Sequence, residues 1–367
     1  MKILFLVYHT LVEHSGISKK ILAEVEALEK CGVDVSLCFL RINPDGSKER
    51  VCDGEVLRSF GKGLGAKIRK RTSYGDIIRY VKTRGIDTVY IRYDINADPY
   101  TCRMMRRLHK SGVRTVVEIP TWPYDGEFKG QSLKLRLQLK TDRKYRVRFF
   151  KYCDFIVNCS NDEQILGHPT INAGNGVDFE NIPVAAENTE KYEMRMLSVA
   201  NIHLWHGLDR LILGMARRKD IPAVLHIVGD GLPEIIDGYK ELARQYGLLD
   251  RVKILGPEYG SELDKEFKWC NIAVGSLARH RSGIETIKTI KNREYAARGR
   301  AFFYSENDPD FDERPYVFKV QQNDDPVDMQ SIYEFFRKAR FSPEEIRESV
   351  KELSWECRMR KVIEGIS

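Results

Sequence analysis

Two neighbouring segments concentrate side chains able to hold an anion: Arg279-His280-Arg281-Ser282-Gly283 and Lys288-Thr289-Ile290-Lys291-Asn292-Arg293-Glu294-Tyr295. On a helix, Lys291 and Glu294, three residues apart, share a face, and Lys288 lies one turn earlier. Fixed cations in a water-poor cleft are the groups best suited to stabilise negative charge developing on a phosphate. Lys288 and Lys291 are therefore the first candidates for phosphate contact, with Arg281 and Arg293 behind them. The competing reading is an exposed basic helix, the commonest fate of a charge run.

A second candidate lies in Trp205-His206-Gly207-Leu208, at the predicted start of a helix. An imidazole, charged or neutral, donates a hydrogen bond to phosphate, and Gly207 lets backbone approach an anion at a helix N-terminus. The competing reading makes His206 a helix cap. A third group is Glu118, Asp125 and Glu127, within a proline- and aromatic-rich turn that follows a predicted strand. These carboxylates are candidates without assigned roles, and a purely structural turn explains them equally well. The eight cysteines are scattered without a Cys-x-x-Cys pair, several of them in apolar runs, which fits packing thiols in a reducing cytoplasm and speaks against zinc.

The elements that must position these residues are legible in part. Lys2 to Tyr8 is a short apolar run of the kind that forms a strand buried on both faces. The turn His14-Ser15-Gly16 follows, then apolar residues at helical spacing (Ile21, Leu22, Val25, Leu28) and a stop at Cys31-Gly32. Val33 to Leu40 completes a βαβ unit. Further strands are predicted at 87–93, 114–119 and 155–159. Leu133, Leu135, Leu137 and Leu139 alternate like a strand, yet a basic helix running through Tyr152 is the preferred reading. After Pro183 the pattern restarts, with strands at 194–199, 224–228, 252–255 and 272–274, helices at 208–217, 233–246 and 262–269, and a last helix over 343–366 with Trp355 on its apolar face.

The length of 367 residues agrees with two domains. The expected architecture is α/β, with Rossmann-like doubly wound domains at 1–182 and 183–340, a C-terminal segment 341–367, and ligands at the strand ends in a central cleft. No apolar run approaches the roughly 20 residues that span a bilayer, so neither a signal peptide nor a transmembrane helix is expected.

Charge is divided unevenly. Residues 1–182 hold 31 Lys and Arg against 22 Asp and Glu, a balance of +9, and the remainder holds 29 against 31, a balance of −2. The stretches 58–84 and 129–151 each carry nine basic residues and one acidic residue, Asp76 and Asp142 respectively. Without any nucleic-acid module beside it, this charge points to an anionic membrane surface rather than nucleic acid, with a solvated face as the competing reading.

The order of several motifs resembles retaining glycosyltransferases of the GT-B fold, group 1 and family 4-like. Asn175-Gly176-Val177-Asp178 is similar to the segment ending that family's N-terminal domain, and Leu225 to Gly231, with Gly229, to its strand and glycine turn. The run from Lys291 to Tyr295 is similar to a subgroup associated with bacterial surface polysaccharides. The resemblance implies a sugar-nucleotide diphosphate donor held by the C-terminal domain. From the cation-rich segment it carries over only Glu294, as the acceptor for ribose hydroxyls, and by position it sets Gly16, Asn201, His206, Gly207 and Gly229 near the donor; the charge argument above adds Lys291, Lys288 and Arg293 at the leaving phosphate and Arg281 on the donor. Asn201 and His206 stand where the family usually has Arg and Lys, and only Gly16 matches a glycine pair near the first helix.

By the same resemblance the N-terminal domain binds a glycan or lipid-linked acceptor, with Glu118, Asp125 and Glu127 beside it, and the last helix crosses back to that domain. No metal or cofactor is implied, because the sugar nucleotide is a substrate, and Asp308-Pro309-Asp310 reads as a loop. Location is expected to be cytoplasmic, peripheral on the inner face of the plasma membrane. The alternatives are a noncatalytic nucleotide- or carbohydrate-binding protein of the same fold and a sugar-nucleotide epimerase.

Overall fold

The computed structural model describes residues 1–12, 15–128, 132–187 and 189–367, so His14 and Lys129 lie outside the described residues. The chain divides into two compact units, Met1–Gly174 with Trp355–Ser367, and Asn175–Ser354. The divisions thus fall at 174/175 and 354/355 rather than at 182 and 340.

The first unit opens with β1 (Lys2–Leu6), α1 (Gly16–Lys30) and β2 (Asp34–Ile42). The antiparallel strands β3 (Lys48–Cys52) and β4 (Glu55–Gly61) follow, then helices α2 (Gly63–Thr72) and α3 (Gly75–Arg84). The parallel pattern resumes through β5 (Thr88–Arg92), α4 (Pro99–Lys110), β6 (Arg114–Ile119), α5 (Leu133–Phe150) and β7 (Phe155–Asn158), and the hairpin β8 (Gln164–Ile165) and β9 (His168–Asn172) ends it. The sheet order is β4-β3-β2-β1-β5-β6-β7-β9-β8. The antiparallel additions β3, β4 and β8 are absent from the sequence reading, because short half-buried strands lack the continuous apolar run that marks a strand covered on both faces.

The leucine alternation in α5 does not decide its structure. Leu139, Asp142, Arg146, Phe149 and Phe150 form the buried stripe, at helical spacing, while Leu133 and Leu137 face outward. The C-terminal segment is likewise not one helix. Ser342 caps a short helix over Pro343–Glu348, a turn spans Lys351–Leu353, and a separate helix covers Trp355–Ile366. That last helix belongs to the first unit, where Trp355, Met359 and Val362 share a core with Ile21 and Leu28 of α1.

The second unit runs β10 (Met194–Val199), α6 (Leu208–Arg217), β11 (Ala223–Val228), α7 (Pro233–Gln245), β12 (Val252–Gly256), α8 (Gly260–Trp269) and β13 (Ile272–Val274). It continues through α9 (Ile290–Ala297), β14 (Phe302–Tyr304), β15 (Val317–Lys319), α10 (Met329–Lys338) and α11 (Pro343–Glu348). All six strands are parallel, in the order β12-β11-β10-β13-β14-β15.

Each sheet reverses its strand order once, next to its first strand: between β1 and β5 in the first unit, and between β10 and β13 in the second. Neighbouring loops diverge at such a switch point and leave a crevice beyond the carboxyl ends of the strands. Both candidate sites are found there.

Candidate active site

In the second unit, the loop after β10 carries His206 and the loop after β13 carries Ser276 and Arg279. Leu277 donates its backbone N–H to the His206 carbonyl at 3.0 Å, and Ala278 donates to Trp205 at 3.2 Å. This pairing sets the requirement at Gly207. Its φ is +62°, and a Cβ there would lie 2.8 Å from that of Ala278. Gly229 is still more constrained, since an added Cβ would fall 1.7 Å from the Ala200 carbonyl oxygen. Both glycines thus hold the crevice loops together. Asn201, just after β10, is exposed.

His206 is buried, and its Nδ1 accepts the His203 backbone N–H at 2.9 Å. Burial, with Lys291 and Arg279 nearby, drives its pKa well below the usual imidazole value. The ring is therefore neutral and, with Nδ1 accepting, carries its proton on Nε2 as a donor. Arg279 is buried with its guanidinium 5.1 Å from the Trp205 ring centroid.

Lys291, in the first turn of α9, donates to Ser276 Oγ at 3.1 Å. Burial pushes its ammonium down to about 8, opposed by Glu306 and reinforced by Arg279. Glu306, just past β14, is fully buried with neither carboxylate oxygen hydrogen-bonded, and burial raises its pKa against the pull of Lys291. Neutral His206, Lys291, Arg279 and Ser276 together offer donors to an anion, with Glu306 as the counter-charge behind them. Sequence reasoning quoted Arg279 without a role and missed Glu306, whose only sequence signal is a carboxylate two residues past a predicted-size apolar run.

A pH effect follows. Lys291 is charged below about pH 8 and loses its charge above it. A charge-assisted hydrogen bond is worth about 1.5–3 kcal/mol, so affinity for a phosphate-bearing anion held by Lys291 is expected to fall about 10-fold or more as pH rises from 7 to 9.5. Titration calorimetry across that range checks this, and Lys291→Arg should flatten the profile because guanidinium keeps its proton.

Three expected phosphate-facing cations are occupied elsewhere. Arg293 is fully buried. It is ion-paired with Asp308 at 2.8 Å and with Asp310, and it donates through Nε to the Asn175 carbonyl at 2.9 Å and through Nη1 to Thr289 at 3.0 Å. Lys288, also buried, has its ammonium 3.9 Å from Asp310. Arg281 pairs with both Asp209 oxygens at 2.8 Å and with Asp324 at 2.6 Å. Each is thus tied to carboxylates of its own unit, and Asp308 and Asp310 are the carboxylates that neutralise Arg293. Glu294 accepts from Arg298 Nε at 3.0 Å and keeps its other oxygen.

In the first unit one of the candidate carboxylates lies inside the core. Glu118 is 1% exposed, held by Lys20 at 2.6 Å, by Arg92 and by the Tyr90 hydroxyl at 3.4 Å. Burial alone pushes this carboxyl up, but Arg92 and Lys20 outweigh it and hold the pKa below the ordinary value. Its charge is internal to the unit. Asp125 pairs with Arg146 at 2.8 Å and Arg143 at 3.3 Å, and Glu127 sits half-buried in the turn 125–128. Gly16 opens α1 with open space where a Cβ would stand.

Polar groups that sequence reasoning missed lie at the β1/β5 switch point. His9 follows β1, and Asp94 and Asn96 follow β5. His9 Nε2 is buried without a hydrogen bond in the structure, and the buried Asn96 amide lies against the Tyr8 hydroxyl. Burial lowers the His9 pKa, against the facing Asp94. Buried polar atoms are normally satisfied, so the open Nε2 of His9 marks this as the polar corner of the crevice.

No family model and no curated protein sequence matches the chain. Solved structures do. Sucrose-phosphate synthase from Thermosynechococcus elongatus is 15% identical, with 99% of this chain and 97% of that one aligned and a TM-score of 0.69. The catalytic domain of starch synthase IV from Arabidopsis thaliana, bound to ADP and acarbose, is 10% identical over 99% and 98%, with a TM-score of 0.64. Anabaena HepE in complex with UDP-glucose is 12% identical over 100% and 99%, with a TM-score of 0.58. Two Rossmann-like units of parallel sheet, matched over their whole length to such structures, give this chain the GT-B fold.

Proposed function

We propose that this protein is a glycosyltransferase that moves a sugar, with retention and without a metal, from a nucleoside-diphosphate sugar to a glycan or lipid-linked acceptor in cell-surface polysaccharide synthesis. The observation that carries the reading is the donor cluster of His206, Arg279 and Lys291 at the β10/β13 switch point. It sits in a fold whose solved members include proteins holding ADP or UDP-glucose. In this reading Lys291, Arg279 and the Nε2–H of His206 meet the diphosphate, and negative charge gathering on the leaving phosphate strengthens those contacts as the sugar–phosphate bond lengthens. Glu294 accepts from the ribose. His9, Asp94 and Asn96 supply hydrogen-bonding groups for acceptor hydroxyls. The basic stretches of the first unit add peripheral attachment to an anionic membrane on the cytoplasmic side.

The test is a panel of nucleoside diphosphates scored by thermal shift, followed by nucleotide release from the matching sugar nucleotide with and without a polysaccharide or lipid-linked acceptor. A ligand selective for the folded state raises its melting temperature, by an amount that grows with concentration over Kd. Stabilisation by one diphosphate together with acceptor-dependent release supports the reading. Binding without turnover on any sugar nucleotide would leave a noncatalytic binder, and no stabilisation by any diphosphate would remove the donor site.

A further inference from the structure

The polypeptide places large apolar side chains on the outside of two cationic helices of the first unit. Leu64 and Ile68 of α2 are 75% and 63% exposed, and Leu133 and Leu137 of α5 are 74% and 64% exposed. Each pair is spaced by four residues and so shares a helix face. Around them, Lys67 and Arg71 on α2 and Lys134, Arg136 and Lys140 on α5 are exposed. The helices lie close enough for their charges to interact: burial, Arg71, Lys48 and Lys134 together lower the Lys70 pKa. Asp94, after β5, draws Lys70 and Arg71 the other way, but the helices themselves add no exposed carboxylate. Residues 63–72 contain none, and the one in 133–150, Asp142, is fully buried and bonded to Tyr124, Tyr93 and Arg146.

We propose that this two-helix face docks on anionic phospholipid bilayers, with Leu64, Ile68, Leu133 and Leu137 entering the headgroup–acyl boundary and the flanking lysines and arginines meeting lipid phosphates. Apolar residues standing between cations suit shallow insertion, where long basic side chains reach back to the headgroups. A protein partner fits less well, because the centre of a protein interface is depleted in lysine and its apolar area is contiguous. The inference rests on the peripheral-attachment part of the functional reading and not on sugar transfer. It goes beyond attraction by charge, since it makes four named apolar side chains contribute to the affinity.

The full chain is tested by cosedimentation with vesicles of phosphatidylcholine alone and of phosphatidylcholine with phosphatidylglycerol, at low and high salt. Binding is expected on the anionic vesicles only, weakening as salt shortens the Debye length. The double variant Leu64→Ser/Leu137→Ser keeps every charge and is expected to lower partitioning about 10-fold or more. The single variant Leu137→Trp is expected to shift its fluorescence to the blue on anionic vesicles. Because the altered residues are exposed, both variants should keep the wild-type melting temperature and nucleotide binding, so failure here is separable from failure of the transferase reading. Wild-type partitioning by the serine variant would overturn the proposal in favour of charge alone. Equal binding to soluble polyglutamate without a tryptophan shift would overturn it in favour of an acidic protein partner, and indifference to anionic vesicles at low salt would overturn it outright.

Discussion

Lys291→Ala is expected to lower sugar-transfer turnover by about 100-fold, the usual cost of removing one preorganised group that stabilises charge in the transition state. Lys291 is held ready by Ser276 at 3.1 Å, in the first turn of α9 and at the carboxyl end of the sheet. Its pKa, pushed down to about 8 by burial with Arg279 and against Glu306, shows an ammonium held largely out of water. In the proposed reaction it meets the diphosphate, on which negative charge grows as the sugar–phosphate bond lengthens. Folding should survive, because the lysine makes one hydrogen bond, to the Ser276 hydroxyl, and Glu306 can take up a proton once its cation is gone. The measurement is steady-state turnover on the matching sugar nucleotide, with a thermal melt as the control. Turnover equal to wild type in a folded variant would remove Lys291 from the site. A melt collapsed by many degrees would instead make it a structural residue.

A different outcome is expected one helical turn away in kind, though only two residues away in sequence. Arg293→Ala should destabilise the second unit by about 3–5 kcal/mol, because it leaves uncompensated carboxylates in a buried position. Asp308 and Arg293 are both 0% exposed at the side chain, and the guanidinium also satisfies the carbonyls of Asn175 and Thr289. The defect should depend on pH. In the native chain burial already pushes the Asp308 carboxyl up and Arg293 restrains it. Without Arg293 the folded-state pKa rises further above the unfolded value, so the variant is least impaired near pH 4 and loses stability as pH rises toward neutrality. Urea unfolding at pH 4.5 and 7.5 reads both effects. The triple variant Arg293→Met/Asp308→Asn/Asp310→Asn should recover part of the loss, since it removes both signs of charge together. An Arg293→Ala protein with wild-type stability and impaired turnover would return Arg293 to the phosphate site.

These two residues also show where sequence reading stops. The sequence by itself determined the two α/β units, because buried parallel strands and amphipathic helices announce themselves in runs of five to fifteen neighbouring residues, as in Lys2–Leu6, Gly16–Lys30 and Leu208–Arg217. It also located the cation-rich segment and the glycines at 207 and 229, since chemical type and backbone freedom are local properties. Which cation remains open to a ligand was decided only by the tertiary structure. Lys288, Lys291 and Arg293 look alike at their spacing, but Asp308 and Asp310 claim Arg293, Asp310 draws Lys288, and Asp209, 72 residues distant, claims Arg281. In the first unit Lys20, 98 residues from Glu118, removes that carboxylate from the surface, while His9 and Asn96 meet at a strand-order reversal that no local pattern reveals. The physical reason is common to all of these. A charge in a dry interior must find an opposite charge or a hydrogen bond, and the chain supplies that partner from wherever the fold brings it.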